Sequence, residues 1–150
     1  MRVVIQRVSE AAVKIDGTIV GEISKGLLVL LGIAQEDNEQ DALYLIQKLI
    51  NLRIFADADG KMNLSVQDCD GGLLVVSQFT LYADTKKGNR PSFIEASRPE
   101  HAIPLYEEMT RQLTFKLTKP IQTGVFGADM KVSLINDGPV TIIIDSKNPS

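Results

Sequence analysis

The chain has 150 residues, 44% of them hydrophobic, and a formal net charge of −3, which suits one compact domain with its own core and is the wrong sign for a protein that coats DNA or RNA by neutralising many phosphates. One cysteine, Cys69, rules out an internal disulfide, and one histidine, His101, leaves no usual zinc ligand set. The start, MRVVIQRVSEAAV, places Gln6, Arg7 and Ser9 where a signal peptide needs an uninterrupted apolar run, and the longest apolar stretch, Gly26 to Ala34, is far short of the ~20 residues of a membrane-spanning helix, so a cytoplasmic protein with no membrane contact is expected.

Three β-rich pieces open the chain: RVVIQRV, then AAVKI and TIVGEI around Asp16-Gly17, then GLLVLLGIA. An Asp-Gly pair between alternating segments is a strong hairpin signal. From Asp37 the period changes. Leu43, Ile46 and Ile50, with Leu45, Leu49 and Leu52 beside them, recur at helical spacing, which predicts a helix over roughly 38 to 51 with Asp37 and Gln40 as its capping pair. ADADGKM opens like a calcium loop but has Lys61 and Met62 where an oxygen ligand and a glycine are required, so it reads as a turn. GLLVVSQFTLY, Gly72 to Tyr82, is predicted as a central strand. SRPEHAIPLYEEMTRQL is predicted as a second helix capped by Ser97 and Glu100, with Pro104 kinking it or marking its start. KVSLIN and PVTIIID close the chain as two strands, and Asn136, Asp137, Gly138 and Pro139 between them read as a hairpin turn. This order of elements predicts an α+β single domain over residues 1–150.

Conventional chemistry is poorly provided for. GNRPSF and GVFGADM match neither the phosphate-loop nor the dinucleotide pattern. Nothing in the sequence orients His101 as a base, so it reads as a solvent-facing helix residue, and Cys69, between two aspartates, reads as inert. No metal and no cofactor are expected. Lys86, Lys87 and Arg90 form a basic cluster whose default reading is a solvated surface. What stands out is the polar interruption in LLVVSQFTLY, where period-2 alternation puts Ser77, Phe79 and Leu81 on one face and Gln78, Thr80 and Tyr82 on the other. Buried hydroxyls and amides cost a few kcal/mol unless partnered. The segment is therefore either well hydrogen-bonded structure or an oxyanion site, in which backbone N–H groups at a strand end do work that needs no titratable residue.

SQFTLYAD and NDGPVT, in this order and near this spacing, resemble the two signature segments of the D-aminoacyl-tRNA deacylases. The likeness extends over almost the whole chain, through IQRV, GLLVLLGI, LRIFADADGKMN, GNRPSF and TGVFGADMKVSLINDGPVT, and leaves the tail from about residue 146 unmatched and expected to fray. The resemblance implies the family's fold, with a sheet or barrel-like core and two main helices. It implies a homodimer with active sites near the interface and hydrolysis of the ester joining a D-amino acid to the 3′ end of tRNA, together with removal of glycine mischarged on alanine tRNA. Ser77, Gln78, Phe79 and Thr80 would line the pocket and supply backbone N–H groups. Gly138 and Pro139, with Asn136 beside them, would form a Gly-cis-Pro chirality filter reaching into the partner's pocket. Arg7 would hold that element, and Phe126 would contact the terminal adenine. The vicinal 2′-hydroxyl of the RNA would assist, and Lys86, Lys87 and Arg90 would supply a local phosphate patch. Two other readings stand beside this one: a binding module that holds the tRNA end without cleaving it, and an acyl hydrolase with Thr80 as nucleophile.

Overall fold

The computed structural model describes residues Met1 to Ser150 and is organised by its first strand. β1 (Arg2–Ile15) turns at Asp16 and Gly17, both at positive φ as a type I′ hairpin requires, into β2 (Thr18–Ile23), which pairs antiparallel with its second half. β3 (Gly26–Gly32) pairs antiparallel with its first half, from Arg2 opposite Gly32 to Val8 opposite Gly26. The chain then crosses through α1 (Glu39–Asn51) and a small hairpin of β4 (Phe55–Ala56) and β5 (Met62–Leu64) to β6 (Gly72–Ser77), which is parallel to β3. A single 3-10 turn, Phe79–Tyr82, leads towards α2 (Pro99–Leu117), and β7 (Gln122–Thr123) runs parallel to β6. The last strand, β8 (Lys131–Asp145), returns along the whole of β1.

The main sheet thus reads β2-β1-β3-β6-β7, with β8 paired to β1. Its ends almost meet: the Glu22 amide lies 3.4 Å from Gln122 Oε1, and a Cβ on Gly21 would lie 2.6 Å from the Thr123 carbonyl. Only glycine at position 21 lets β2 approach β7 so closely, and the sheet becomes nearly a barrel. One face carries the helices. Val3, Ile5, Leu27, Val29 and Leu31 pack there against Leu45, Leu49, Met109 and Leu113 of α1 and α2. Val8, Ala11, Val13, Leu28, Leu74 and Val76 fill the space the curled sheet encloses. The α+β class and the two main helices expected from the sequence are those observed.

Four local expectations are corrected. The cap of α1 is Asn38, in a reciprocal box with Asp41, and not Asp37 with Gln40. Asp37 is drawn away because it binds the buried Met1 ammonium at 2.7 Å and the Ala34 amide at 2.7 Å. α2 is N-capped by Arg98 with no side-chain bond, and Ser97 turns to His101 Nδ1 at 2.6 Å instead of forming a box with Glu100. The predicted strand over Gly72 to Tyr82 ends at Ser77, so the alternation expected beyond it does not exist: Phe79 is 55% exposed and Tyr82 is buried. Asn136 to Pro139 is not a hairpin turn, because the segments before and after it both pair with β1 as parts of one strand. ADADGKM is a turn, with Asp57 Oδ1 accepting from the amides of Asp59 and Lys61.

The tail beyond β8 is tied down at its first two residues. Ser146 donates to Asp41 Oδ1 and accepts from the Met1 ammonium, and Lys147 pairs with Asp41 at 3.1 Å. Burial alone would raise the Asp41 pKa, but hydrogen bonds from Ser146, the Asn38 amide and Lys147 outweigh it and hold the carboxyl below its ordinary 3.8. Asp145 is held down in the same way, against burial, by Arg2 and the Lys147 amide. A carboxylate whose folded pKa is depressed adds stability that is full above its unfolded value and is lost as pH falls through the folded one. The melting temperature is therefore expected to hold from neutrality down to the ordinary aspartate value and to drop below it, and Asp41→Asn is expected to flatten that drop in a calorimetric pH series.

Candidate active site

The polar interruption of the sequence marks the point where β6 stops. The Gln78 amide makes the last sheet-like bond, to the Leu31 carbonyl at 2.7 Å, and the chain then coils into the 3-10 turn. Gly32, at the end of β3, permits this: a Cβ there would stand 3.0 Å from Leu81 Cβ, 3.1 Å from the Gln78 carbonyl and 3.2 Å from the Tyr82 ring. The opening amides of such a turn, here Phe79 and Thr80, have no acceptor within it. Phe79 packs edge-on against Phe93, with ring centroids 5.1 Å apart, and the Gln78 side-chain amide donates to the Thr80 hydroxyl.

A cavity of about 260 Å³ opens between this segment, the loop after β7, the end of β3 and the start of α2. It is smaller than the ~300–1,000 Å³ of sites that engulf drug-sized ligands, which suits an amino-acid-sized group. Ser77, Gln78, Phe79 and Phe126 line it, so four of the sequence-predicted residues come together; Thr80 is exposed beside them and does not line it. Phe126 is seated edge-on against Tyr106, whose hydroxyl donates to the Val75 carbonyl at 3.1 Å. Burial pushes that phenol up to about 12, with a bond to Thr123 opposing, so it stays a neutral donor at physiological pH.

Sequence reasoning missed Ser97, Ala128 and Met130 as wall residues, and all three line the cavity. Ser97 was read as a helix cap, while Met130 is drawn in because Gly124 leaves room for it: a Cβ there would stand 2.4 Å from its sulfur. The only acidic group in the wall, Asp129, is exposed and paired with Lys131 at 3.1 Å. His101 is half-buried and does not line the cavity. The arrangement offers aromatic walls, hydroxyls and main-chain donors; its one carboxylate is paired with Lys131, and the His101 ring stands behind the wall on Ser97.

Gly138, Pro139, Asn136 and Arg7 form a second cluster that does not line this cavity within the chain. Opposite Gln6 stands Thr141 and opposite Val8 stands Asn136, so residues 137 to 140 are extruded from the ladder. The bulge is closed from inside by Asn136. Its Oδ1 accepts from the Val140 amide at 2.7 Å, and its Nδ2 donates to the Val140 carbonyl at 3.2 Å and the Thr141 hydroxyl at 3.1 Å. Arg7, facing the gap, donates through Nε to the Asp137 carbonyl at 2.8 Å and through Nη1 to the Ile54 carbonyl at 2.6 Å. The Gly138-Pro139 bond is cis, and both residues are exposed. Gly138 has φ of +150°, and a Cβ there would lie 2.9 Å from the Val140 nitrogen, so only glycine fits.

A family model described as D-Tyr-tRNA(Tyr) deacylase matches residues 4–145. The chain belongs to this deacylase family. Curated relatives in it include the D-aminoacyl-tRNA deacylase of Flavobacterium psychrophilum, 66% identical, and that of Flavobacterium johnsoniae, 58% identical, each over 99% of both chains. A solved structure described as c-Myc DNA Unwinding Element Binding Protein superimposes with a TM-score of 0.93 at 40% identity, covering 100% of both chains. Another, described as a probable eukaryotic D-amino acid tRNA deacylase, gives a TM-score of 0.82 at 15% identity over 95% of this chain and 97% of that one, and shows the shared fold. Relatives and fold agree with the family that the two signature segments indicate.

Asn136 carries the bulge by three bonds, two of them to the main chain of Val140. Asn136→Ala leaves those groups to solvent or unpaired and is expected to destabilise the protein by about 1–2 kcal/mol, read from the urea midpoint at unchanged m-value. A midpoint equal to that of the parent would show that the bulge holds its form without the amide.

Proposed function

We propose that the chain hydrolyses the ester between a D-amino acid and the 3′-terminal adenosine of tRNA, in the cytoplasm and without metal or cofactor. The observation that carries this reading, beside membership of the deacylase family, is the cavity at the end of β6: unpartnered main-chain amides beside a small aromatic-walled space whose one carboxylate is taken up by Lys131. An aminoacyl ester is already reactive, so what its hydrolysis lacks is a place for the negative charge that develops on the carbonyl oxygen. The Phe79 and Thr80 amides supply that place, worth roughly 10²–10³ in rate for each well-placed donor, and the vicinal 2′-hydroxyl of the RNA assists attack by water.

Ser77, Gln78 and Phe79 hold the aminoacyl group, and Phe126 meets the terminal adenine. Selection is made by Gly138 and Pro139 of the partner subunit in a homodimer. Their carbonyls stand where the side chain of an L-amino acid would project, and Asn136 and Arg7 keep them there. A rigid obstacle of this kind rejects by clash, which discriminates far better than a pocket that merely attracts. Glycine has nothing to clash and is removed as well. The loop bearing Lys86, Lys87 and Arg90 springs from the Asp84–Ser92 bridge directly after the 3-10 turn, so a few phosphate contacts beside the pocket are compatible with a mildly acidic protein; extended DNA is not a partner on this account. Thr80 is a poor nucleophile: its hydroxyl accepts from the Gln78 amide, which cannot take up a proton. A module that only holds the tRNA end would leave the ester intact and is separated by the same assay.

D-tyrosyl-tRNA is expected to lose its ester much faster than L-tyrosyl-tRNA, with Thr80→Ala retaining turnover and tRNA ending in 2′-deoxyadenosine hydrolysed poorly. Equal rates on the two enantiomers would sink the filter, and no turnover of either would leave the binding module. Sedimentation at assay concentration is expected to give a dimer; a fully active, selective monomer would refute the shared pocket.

A further inference from the structure

We propose that Arg2 is a positioning residue for the deacylation site: through the Leu81 carbonyl it fixes the 3-10 turn that carries the oxyanion amides. This rests on the deacylase reading above and adds a residue outside both signature segments. The turn is held at its entry by the Gln78 amide on Leu31. Its exit needs a second hold, because the last carbonyls of a helical turn point away from any partner within it. Arg2 Nη1 donates to one of these, Leu81 O, at 2.8 Å.

Two further contacts fix the guanidinium itself, and the ladder fixes the backbone that carries it. Arg2 Nε binds Asp145 Oδ2 at 2.7 Å, and its Cζ stands 4.5 Å above the centroid of Tyr82, the last residue of the turn. In the ladder, Arg2 lies between Gly32 and Asp145, so its backbone is set by strands on both sides. The planar fork of arginine is what makes the arrangement work, since one face stacks while two edges donate in different directions, which an ammonium cannot do. Tyr82 is buried and its phenol is pushed well up, chiefly by that burial, so the ring remains a neutral platform. Gly32 bounds the turn from below, where it leaves no slack for a side chain. Arg2 above and Gly32 below therefore hold the exit of the turn within a narrow range.

A misplaced oxyanion donor weakens the transition state while leaving the rest of the substrate contacts alone, so the loss belongs in kcat. The test compares D-tyrosyl-tRNA turnover by the parent, Arg2→Ala, Arg2→Lys and Asp68→Ala, with a melting temperature for each. Arg2→Ala is expected to lose roughly 10–100-fold in kcat with KM little changed, and Arg2→Lys, which keeps a donor for Leu81, to recover part of it. Asp68→Ala removes the acceptor of the Ser65 amide in the loop before β6, at the opposite end of that strand from the turn, and is expected to melt lower with its kcat unaltered. A folded Arg2→Ala with the parent's kcat would overturn the proposal. Should Arg2→Ala fail to fold, Arg2→Lys decides: a kcat below that of Asp68→Ala supports the role, and an equal one overturns it. Failure of the deacylase reading itself looks different, since the parent would then release no amino acid.

Discussion

β1 is hydrogen-bonded along both edges, and the rest of the molecule is measured from it. β3 and β2 share one edge, β8 takes the other, and almost every residue from Arg2 to Lys14 has a partner on each side. A strand so placed can neither slide nor tilt without breaking two ladders. It also carries the two arginines that reach the two halves of the site: Arg2 to the Leu81 carbonyl of the turn, and Arg7 to the Asp137 carbonyl of the bulge. The distance between those halves is therefore written into the most constrained segment of the fold, where side chains that must be placed to a fraction of an ångström are best supported.

The bulge shows how such a strand tolerates an interruption. Across the bulge, two steps along β1 from Gln6 to Val8 answer five along β8 from Thr141 to Asn136, an odd excess of three; a second shift, where two steps from Val8 to Glu10 answer one from Asn136 to Ile135, takes one back. Ile5 faces Ile142 and Ala11 faces Leu134, so in all six steps along β1 correspond to eight along β8. The net difference is even. Because side chains alternate with period two, an even offset returns β8 to the ladder with its apolar residues on the correct face, whereas an odd one would have turned either Ile142 and Ile144 or Leu134 outward. Residues 137 to 140 can thus be pushed out of the sheet at the cost of their own ladder bonds and those of Ser9, and Asn136 and Arg7 bind three of the main-chain groups released: the Asp137 carbonyl and both groups of Val140.

What could be read from the sequence was what neighbouring residues decide. Asp16-Gly17 announced the hairpin, the Leu and Ile spacing announced α1, the polar interruption in LLVVSQFTLY pointed to Ser77, Gln78 and Phe79, and the family resemblance added Phe126, which the fold gathers with them around one cavity. What failed was decided by residues far away in the chain. LLVVSQFTLY alternates plausibly to its end, but Gly32 invites a turn where Ser77 leaves the sheet. Asp37 is as good a cap as Asn38 until the Met1 ammonium claims it. Asn136 to Pro139 has the same chemistry whether it closes a hairpin or a bulge, and only the pairing of both flanks with β1 distinguishes them. Ser97 and Met130 carried no local signal, since a wall residue is chosen by shape alone.

The two halves of the site are built from different groups but are held in the same way, and this bears on how they can change. The turn is held by the Leu31 carbonyl at its entry, by the close approach of Gly32, and at its exit by the Arg2 guanidinium on the Leu81 carbonyl. The bulge is held by the side chains of Asn136 and Arg7, and its tip consists of two residues that project no polar side chain at all. Under the proposed reading the groups that act are backbone in both halves, and their own side chains can change without removing them. What each half cannot lose is the arginine of β1 beside it. Rate then depends on Arg2 and selectivity on Arg7 with Asn136, so the two properties can be lost separately, by substitutions outside the segments that perform them.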